Sequence, residues 1–166
     1  FFKKKKNKKL LNLLSNKIGS DTRLFFYNQG FLKNLNNVES LKTKCSLNFL
    51  LVHPNIKSST RYVYSKVSRF SSRTKFPLRK LDTKKKFVKF LMTKNNDLQT
   101  IVEKKHPIIK KLLVEIAEIK GCYFSRMTGS GSACIGIFDT IKKANYAMKM
   151  IKLKHPKYWC VVSKSI

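Results

Sequence analysis

This chain of 166 residues contains few acidic residues, few glycines and few prolines, with only 8 Asp and Glu, 6 Gly and 4 Pro. So little glycine excludes a collagen-like repeat, and four cysteines are too few for a small disulfide-stapled scaffold. No uncharged apolar run approaches the ~20 residues of a membrane-spanning helix, so we expect no membrane partner. Because 42% of the residues are hydrophobic, the chain can bury a core, and global disorder is not expected.

Positive charge is what the sequence has in excess. It carries 37 Lys and Arg against the 8 acidic residues, a formal net charge of +29. Such an excess predicts nonspecific binding to polyanions at low salt, because bound cations on the polyanion are released. However, 31 of these residues are lysine and only six are arginine, whereas surfaces that read nucleic acids favour arginine and stacking aromatics. The bias favours AT-rich codon drift, and a functional polyanion site stays open as the alternative.

The cysteines and histidines do not have the spacing of a metal site. Cys45, Cys122, Cys134 and Cys160 form no CxxC pair, and the three histidines lie far from them in the sequence. We therefore predict no zinc or other metal site. We interpret the cysteines as small buried hydrophobic residues in a reduced, cytoplasmic compartment.

The elements predicted for the first part of the chain do not make up a complete domain. It begins with Phe1 instead of methionine, so we expect that the start is not the native one. A run of leucines predicts a helix over Lys8–Lys17 that Gly19 ends. A turn and a short strand, Leu24–Tyr27, follow, and residues 31–44 are typical of a hairpin or a linker.

A second pattern begins at Ser46 and indicates an α+β domain. The predicted order is strand, helices, strand, strand, helix, strand, which is the ferredoxin-like split βαβ order with extra helices after the first strand. We place the domain boundary between residues 45 and 46. The main predicted elements are a strand at Ser46–Pro54, a helix capped by Ser58, Ser59 and Thr60, a helix at Lys84–Thr93, a helix capped by Asn96 and Asp97, a helix from Pro107, strands at Tyr123–Met127 and Ala133–Phe138, a helix capped by Asp139 and Thr140, and a strand at Tyr158–Val162.

The turn between the strands Tyr123–Met127 and Ala133–Phe138 is rich in glycine and serine, with the sequence TGSGS. Its residues are Thr128, Gly129, Ser130, Gly131 and Ser132. Because glycine has no Cβ, such a turn can pass close to a ligand or to another loop. It does not open a helix, which excludes the Walker and dinucleotide-binding loops. Taken alone, the turn is equally well interpreted as a hairpin without a ligand.

Four segments, taken in order, resemble a known family. They are IGSDTRLFF (Ile18–Phe26), LVHPNIKSSTRYVY (Leu51–Tyr64), NNDLQ (Asn95–Gln99) and RMTGSGSACIGIF (Arg126–Phe138). Together they are similar to the C-terminal part of the 4-diphosphocytidyl-2-C-methyl-D-erythritol kinases, within the galactokinase, homoserine, mevalonate and phosphomevalonate (GHMP) kinase superfamily. The resemblance implies a ferredoxin-like GHMP-kinase C-terminal domain over residues 46–166, preceded by a remnant of the N-terminal kinase domain over residues 1–45.

The resemblance also implies an activity. Members of the family transfer the γ-phosphate of ATP, with Mg²⁺, to a hydroxyl of the methylerythritol part of a cytidine diphosphate substrate in the non-mevalonate isoprenoid pathway. Asp21 matches the aspartate that the family uses as catalytic base. A carboxylate there can accept the hydroxyl proton and orient the oxygen for attack. From the residues alone, Asp21 would be a turn or cap residue.

The substrate-binding residues implied by the resemblance lie in the second and fourth segments. Tyr64 matches the aromatic residue that stacks on the cytosine, and Thr60 matches a neighbouring hydroxyl contact. Without the resemblance, Tyr64 would be read as ordinary core packing. Thr128–Ser132 matches the superfamily's third glycine-rich motif, close to the substrate and the phosphates. The pair Asn96 and Asp97 matches a conserved pair that we interpret as structural.

One part of the family pattern is missing from this sequence. No segment matches the substrate-binding lysine or the glycine-rich loop that holds the ATP phosphates. We therefore expect this chain alone to be inactive, as a fragment, as half of a split enzyme that needs a separate N-terminal half, or as a decaying relic. The alternative function is a basic nucleic-acid-binding ferredoxin-like module that uses Tyr123, Phe124, Tyr158 and Trp159.

Overall fold

The computed structural model describes residues 45–72, 81 and 83–165, and before them residues 10, 13–14, 17–19, 24, 27, 30–34 and 37–40. The chain divides into two compact units. The first comprises Phe1–Lys44, Phe76–Lys80 and Ile166, and the second comprises Cys45–Lys75 and Leu81–Ser165.

The described part of the first unit contains an antiparallel hairpin of β1 (Gly30–Asn34) and β2 (Asn37–Ser40). Of the two interpretations of residues 31–44, the hairpin is confirmed for the strands at 31–34 and 37–40, while residues 35–36 and 41–44 lie outside the described residues. The predicted strand at Leu24–Tyr27 is wrong, because the Tyr27 amide donates to the Leu24 carbonyl at 3.1 Å. A local bond of this kind closes a turn and cannot form along an extended strand.

The predicted first helix is described at only a few positions, and these are helical. They are Leu10, Leu13, Leu14, Lys17 and Ile18. The backbone leaves the helix at Gly19, where φ is +140°. Glycine adopts this angle without the steric cost that a Cβ brings, which is why it ends helices so often.

The second unit contains a four-stranded sheet of β3 (Asn48–His53), β4 (Cys122–Met127), β5 (Cys134–Phe138) and β6 (Trp159–Lys164). The spatial order is β4-β5-β3-β6, and every neighbouring pair is antiparallel. The first strand of the unit thus lies between the third and the fourth. This is the ferredoxin-like arrangement that the element order predicted.

Five helices accompany the sheet among the described residues of the second unit. They are α1 (Thr60–Ser65), α2 (Lys84–Met92), α3 (Gln99–Lys105), α4 (Pro107–Glu118) and α5 (Ile141–Lys154). The side chains of Ser59, Thr83 and Thr140 each accept a hydrogen bond from the amide three residues later, which fixes where α1, α2 and α5 begin. None of the helices in the described residues is long and apolar enough to cross a membrane.

The core lies between one face of the sheet and the helices α4 and α5. Leu50 and Val52 point inward from β3, two residues apart, as strand geometry requires. They belong to one buried cluster with Ile109, Leu112 and Ile116 of α4 and with Ala144, Ala147 and Ile151 of α5. Met127 of β4 and Cys134 and Phe138 of β5 belong to the same cluster, so the strands on both sides of the glycine-rich turn pack into the core.

All four cysteines lie among the described residues, and none of them is in a disulfide. Cys45, Cys134 and Cys160 are buried, which fits their interpretation as small hydrophobic residues. Burial raises the pKa of Cys134 to about 12 and that of Cys122 to about 11. Both thiols are therefore neutral at physiological pH.

Candidate functional site

The glycine-rich turn joins β4 to β5 and has a tightly bonded backbone. The Thr128 amide donates to the Ala133 carbonyl at 2.9 Å, and the Gly131 amide donates to the Thr128 carbonyl at 3.1 Å. Gly129 and Gly131 have φ angles of +56° and +80°, in the left-handed region that favours glycine. A Cβ on Gly131 would lie 2.7 Å from the Met127 sulfur, whereas a Cβ on Gly129 would meet nothing within 4 Å. The turn is therefore packed at Gly131 and open at Gly129.

The beginning of α1 is hydrogen-bonded to this turn. The Ser58 hydroxyl donates to the Ser130 carbonyl at 2.7 Å, and the Thr60 and Ser130 hydroxyl oxygens are 2.8 Å apart. Because Ser59 caps α1 between them, the first turn of α1 is held against Ser130. The structure thus brings two predicted site elements together, Thr60 and the glycine-rich turn.

Tyr64 lies one helical turn after Thr60, on the same side of α1. Its side chain is 52% exposed, while the neighbouring Val63 is buried. The Tyr64 ring contacts the Phe70 ring, with centroids 6.4 Å apart and planes inclined at 42°. The alternative of core packing for Tyr64 is therefore wrong, and its exposed ring can stack on a flat ligand.

Asn96 connects the turn to the start of α3. Its side-chain amide donates to the carbonyls of Met127 at 2.9 Å and Gly129 at 2.8 Å, and its side-chain oxygen accepts from the Leu98 amide at 3.0 Å. This arrangement supports the structural interpretation of Asn96. It also explains why a residue so far from the turn in sequence matters for the shape of the turn.

Of the two predicted capping residues, Asp97 does not cap α3, so the capping prediction is wrong for Asp97. The N-cap residue is Leu98, and its side chain makes no capping bond. The Asp97 carboxylate accepts instead from the hydroxyl and from the amide of Ser71, and these bonds lower the pKa of Asp97. A partner 26 residues earlier in the chain competes successfully with the nearby helix end.

Further contacts to the turn were not predicted from the sequence. The buried Ser132 hydroxyl donates to the Ile56 carbonyl and lies 3.4 Å from the His53 Nε2. The Gln99 side-chain oxygen accepts from the Met127 amide at 3.0 Å. Gln99 belongs to the NNDLQ segment, so the resemblance of that segment to the family could have indicated a role for Gln99. The resemblance was interpreted only for the Asn-Asp pair. These contacts fix the turn from both sides.

Residues 88–150 match the family model for the GHMP kinases C terminal domain. The 4-diphosphocytidyl-2-C-methyl-D-erythritol kinase of Pelagibacter ubique is 32% identical to this chain over 154 residues, which cover 92% of this chain and 54% of that relative. The chain belongs to the GHMP kinase family. A second kinase of the same name, from Chelativorans sp., is 28% identical over 144 residues, 86% of this chain and 49% of that relative.

This GHMP kinase chain spans about half the length of the curated relatives that it matches. A crystal structure of a 4-(cytidine 5'-diphospho)-2C-methyl-D-erythritol kinase superposes on it with a TM-score of 0.66 at 15% sequence identity. The superposition covers 93% of this chain and 62% of that one. At this identity the likeness establishes the fold, a mixed helix-and-sheet GHMP kinase domain.

The predicted catalytic base of this GHMP kinase chain, Asp21, lies outside the described residues. Its role as the catalytic base stays a prediction. The described site therefore consists of Thr60, Tyr64 and the turn with its supporting contacts.

The turn has features that fit a phosphate group. Within the part of the chain that the structure describes, the amides of Gly129 and Ser130 donate to no acceptor. Successive free amides in a left-handed turn are suited to bind an anionic oxygen. The same described residues contain no group of three or more His, Cys, Asp or Glu that could hold a metal ion. The residues of the turn are suited to contact the phosphates of ATP or of a substrate. The described residues do not provide a Mg²⁺ site, so we assign no step to Mg²⁺.

The aromatic residues of the nucleic-acid alternative lie far apart in the sheet. Tyr123 and Phe124 are on β4 and Trp159 is on β6, and these strands form opposite edges with two strands between them. Tyr158 stacks instead on His155, with centroids 4.5 Å apart and planes 8° apart. An RNA-recognition sheet presents its aromatics on adjacent strands, which this arrangement does not supply.

Proposed function

We propose that this chain is the C-terminal part of an ATP-dependent kinase that phosphorylates an alcohol group of 4-diphosphocytidyl-2-C-methyl-D-erythritol in the non-mevalonate isoprenoid pathway. The observation that carries the proposal is the pair of hydrogen bonds from Ser58 and Thr60 to Ser130. These bonds link the proposed substrate-binding helix α1 to the glycine-rich turn, which supports assigning both to one site. The names of the curated relatives support the choice of substrate.

In this proposal the substrate binds along α1. The exposed Tyr64 ring stacks on the cytosine, because a flat ring binds a base with little loss of conformational entropy. Thr60 shares its hydroxyl with Ser130 and can donate to or accept from the substrate. The free amides of Gly129 and Ser130 bind phosphate oxygens.

The phosphate transfer needs two further contributions. Asp21 accepts the proton of the attacking hydroxyl and orients its oxygen, as the family resemblance implies. ATP, when bound, supplies the γ-phosphoryl group. No segment of this sequence matches the loop that holds the ATP phosphates, and positioning provides most of the rate enhancement in this reaction. We therefore propose that the nucleotide-binding part is supplied by an N-terminal half, of which residues 1–45 are the end, and that the chain alone is inactive.

A binding experiment with the chain itself tests the proposed cytosine site. Cytidine 5'-diphosphate is titrated at 200 mM salt, which suppresses nonspecific charge effects, and the affinity is followed by NMR. We expect Tyr64→Ala to weaken binding about 5- to 100-fold, since stacking contributes ~1–3 kcal/mol per base. Tyr64→Phe keeps the ring and should keep the affinity.

Tyr62→Ala is the matched control. Tyr62 is on the same helix and also exposed, but its ring is covered by the Lys105 ammonium, whose nitrogen is 3.8 Å from the ring centroid. Its removal should leave the affinity for cytidine 5'-diphosphate unchanged. An equal loss in both alanine variants, or equal affinity for guanosine 5'-diphosphate, would show that Tyr64 does not form a cytosine site.

A further inference from the structure

Arg126 is a half-buried cation that has no acidic partner among the described residues. On β4, its Nη2 donates to the Leu91 carbonyl at 2.8 Å, and its guanidinium carbon lies 4.7 Å from the centre of the Phe124 ring. Within the described residues it forms no ion pair. Burial lowers the pKa of Arg126, yet the group stays charged at neutral pH. A charge removed from water is normally compensated by an anion.

A cleft of about 500 Å³ lies beside Arg126 in the second unit. Arg69, Asn95 and Thr100 line it together with Arg126. The first three are exposed and make no side-chain hydrogen bond within the part of the chain that the structure describes. Two guanidinium groups and two uncharged polar side chains are therefore available to the same space.

The cleft also contains one carboxylate, that of Asp97. Its oxygens accept from the amide and the hydroxyl of Ser71, so they are already engaged. Arg69 and Arg126 together outweigh its charge and leave the lining positive. Phe124 and Met92 supply an apolar wall.

We propose that this cleft binds the phosphate group of a small phosphorylated molecule, held by the guanidinium groups of Arg69 and Arg126 and by the side chains of Asn95 and Thr100. The planar guanidinium donates two parallel hydrogen bonds to an oxyanion, a geometry that lysine cannot supply. The site is distinct from the glycine-rich turn, although Asn96 lies next to both. It does not rest on the proposed kinase function.

The test uses the full chain at 200 mM NaCl, with inorganic phosphate and phenyl phosphate as separate probes followed by ¹⁵N NMR. We expect saturable shifts at residues 95–100 and at the Arg126 side chain. Tighter binding of phenyl phosphate identifies a phosphorylated organic molecule as the ligand class, and tighter binding of inorganic phosphate would overturn that choice. Each of Arg69→Gln and Arg126→Gln should weaken binding about tenfold or more.

Arg61→Gln is the matched control, because it removes an exposed arginine of α1 that does not line the cleft. It should change the affinity less than about twofold. Since Arg126 also holds the Leu91 carbonyl, its variant can lose stability, and the exposed Arg69→Gln is the decisive one. The proposal would be overturned if Arg61→Gln weakened phosphate binding as much as Arg69→Gln does, or if binding did not saturate. It would also be overturned if acetate competed for the cleft as strongly as phosphate does.

Discussion

At Gly131 two independent requirements for glycine coincide. The φ angle of +80° lies in the left-handed region, and the space where a Cβ would stand is within 2.7 Å of the Met127 sulfur. Met127 is itself fully buried, so it has little freedom to move away. Gly129 shares the first requirement, with φ at +56°, but not the second.

This difference predicts unequal effects of the same substitution. Gly129→Ala should reduce the free energy of unfolding by about 1–2 kcal/mol, the cost of a left-handed backbone for alanine. Gly131→Ala should cost about 2–5 kcal/mol, because crowding in a packed region adds ~1–3 kcal/mol to the same backbone cost. Urea denaturation of both variants measures the difference. Equal losses would mean that Met127 yields and that the turn is less firmly packed than described.

Only some of the contacts around the turn could be predicted from the sequence. The family resemblance of the segments predicted that Thr60, Tyr64 and the glycine-rich turn belong together, and one hydrogen bond joins Thr60 to Ser130 of the turn. The contacts of Asn96 to two carbonyls of the turn could not be predicted, because they depend on a tertiary approach across 31 and 33 residues. For the same reason, the bond between Asp97 and Ser71 overrode a local capping pattern.

At the scale of elements, a long periodic helix and the short strands that flank a turn were predictable, whereas one isolated apolar run was not. The helix from Pro107 was evident from the regular spacing of its buried residues, and the strands beside the glycine-rich turn from its flanking hydrophobic runs. Leu24–Tyr27 failed because a four-residue apolar run does not distinguish a strand from a turn. The ferredoxin-like strand order followed from the sequence of element types, since few topologies connect them without crossing.

One ion-pair network joins two elements, α4 and the end of α5. Glu115 lies 2.7 Å from the Lys154 ammonium and 2.7 Å from the His155 ring nitrogen. Burial alone would raise the pKa of Glu115, but the hydrogen bonds from Lys154 and His155 outweigh it, and the pKa is lowered. The carboxyl therefore stabilises the fold at pH values above the ordinary carboxyl range, and this contribution is lost as the pH falls through the lowered pKa of the folded state.

We expect Glu115→Gln to reduce the free energy of unfolding by about 1–3 kcal/mol at pH 7, because the partners lose a charged acceptor. Below the folded pKa of Glu115 the difference from the natural chain should shrink, since the carboxyl is then neutral in both states. Urea denaturation across pH 2 to 7 measures this, and Glu118→Gln, an exposed change on the same helix, should behave like the natural chain. A difference that stays constant with pH would contradict the role of the charge.

At the scale of the whole molecule, the formal net charge of +29 predicts binding to any polyanion at low salt. We expect labelled RNA and DNA oligonucleotides to bind without base preference and to be released by about 200 mM salt, because the affinity comes from counterion release. Fluorescence anisotropy at increasing salt measures this. Tight, sequence-selective RNA binding at that salt would instead favour the nucleic-acid-binding alternative.

The proposed kinase function is tested most directly by supplying an N-terminal half in trans. The chain is co-expressed with the N-terminal half of the Pelagibacter ubique relative, and the purified complex is assayed with ATP, Mg²⁺ and 4-diphosphocytidyl-2-C-methyl-D-erythritol. We predict phosphorylation by the complex and none by either part alone. Asp21→Asn should lower kcat by about 10²- to 10⁴-fold, while Glu118→Gln leaves it unchanged. A stable complex that does not phosphorylate the substrate, or one in which Asp21→Asn has no effect, would contradict the account.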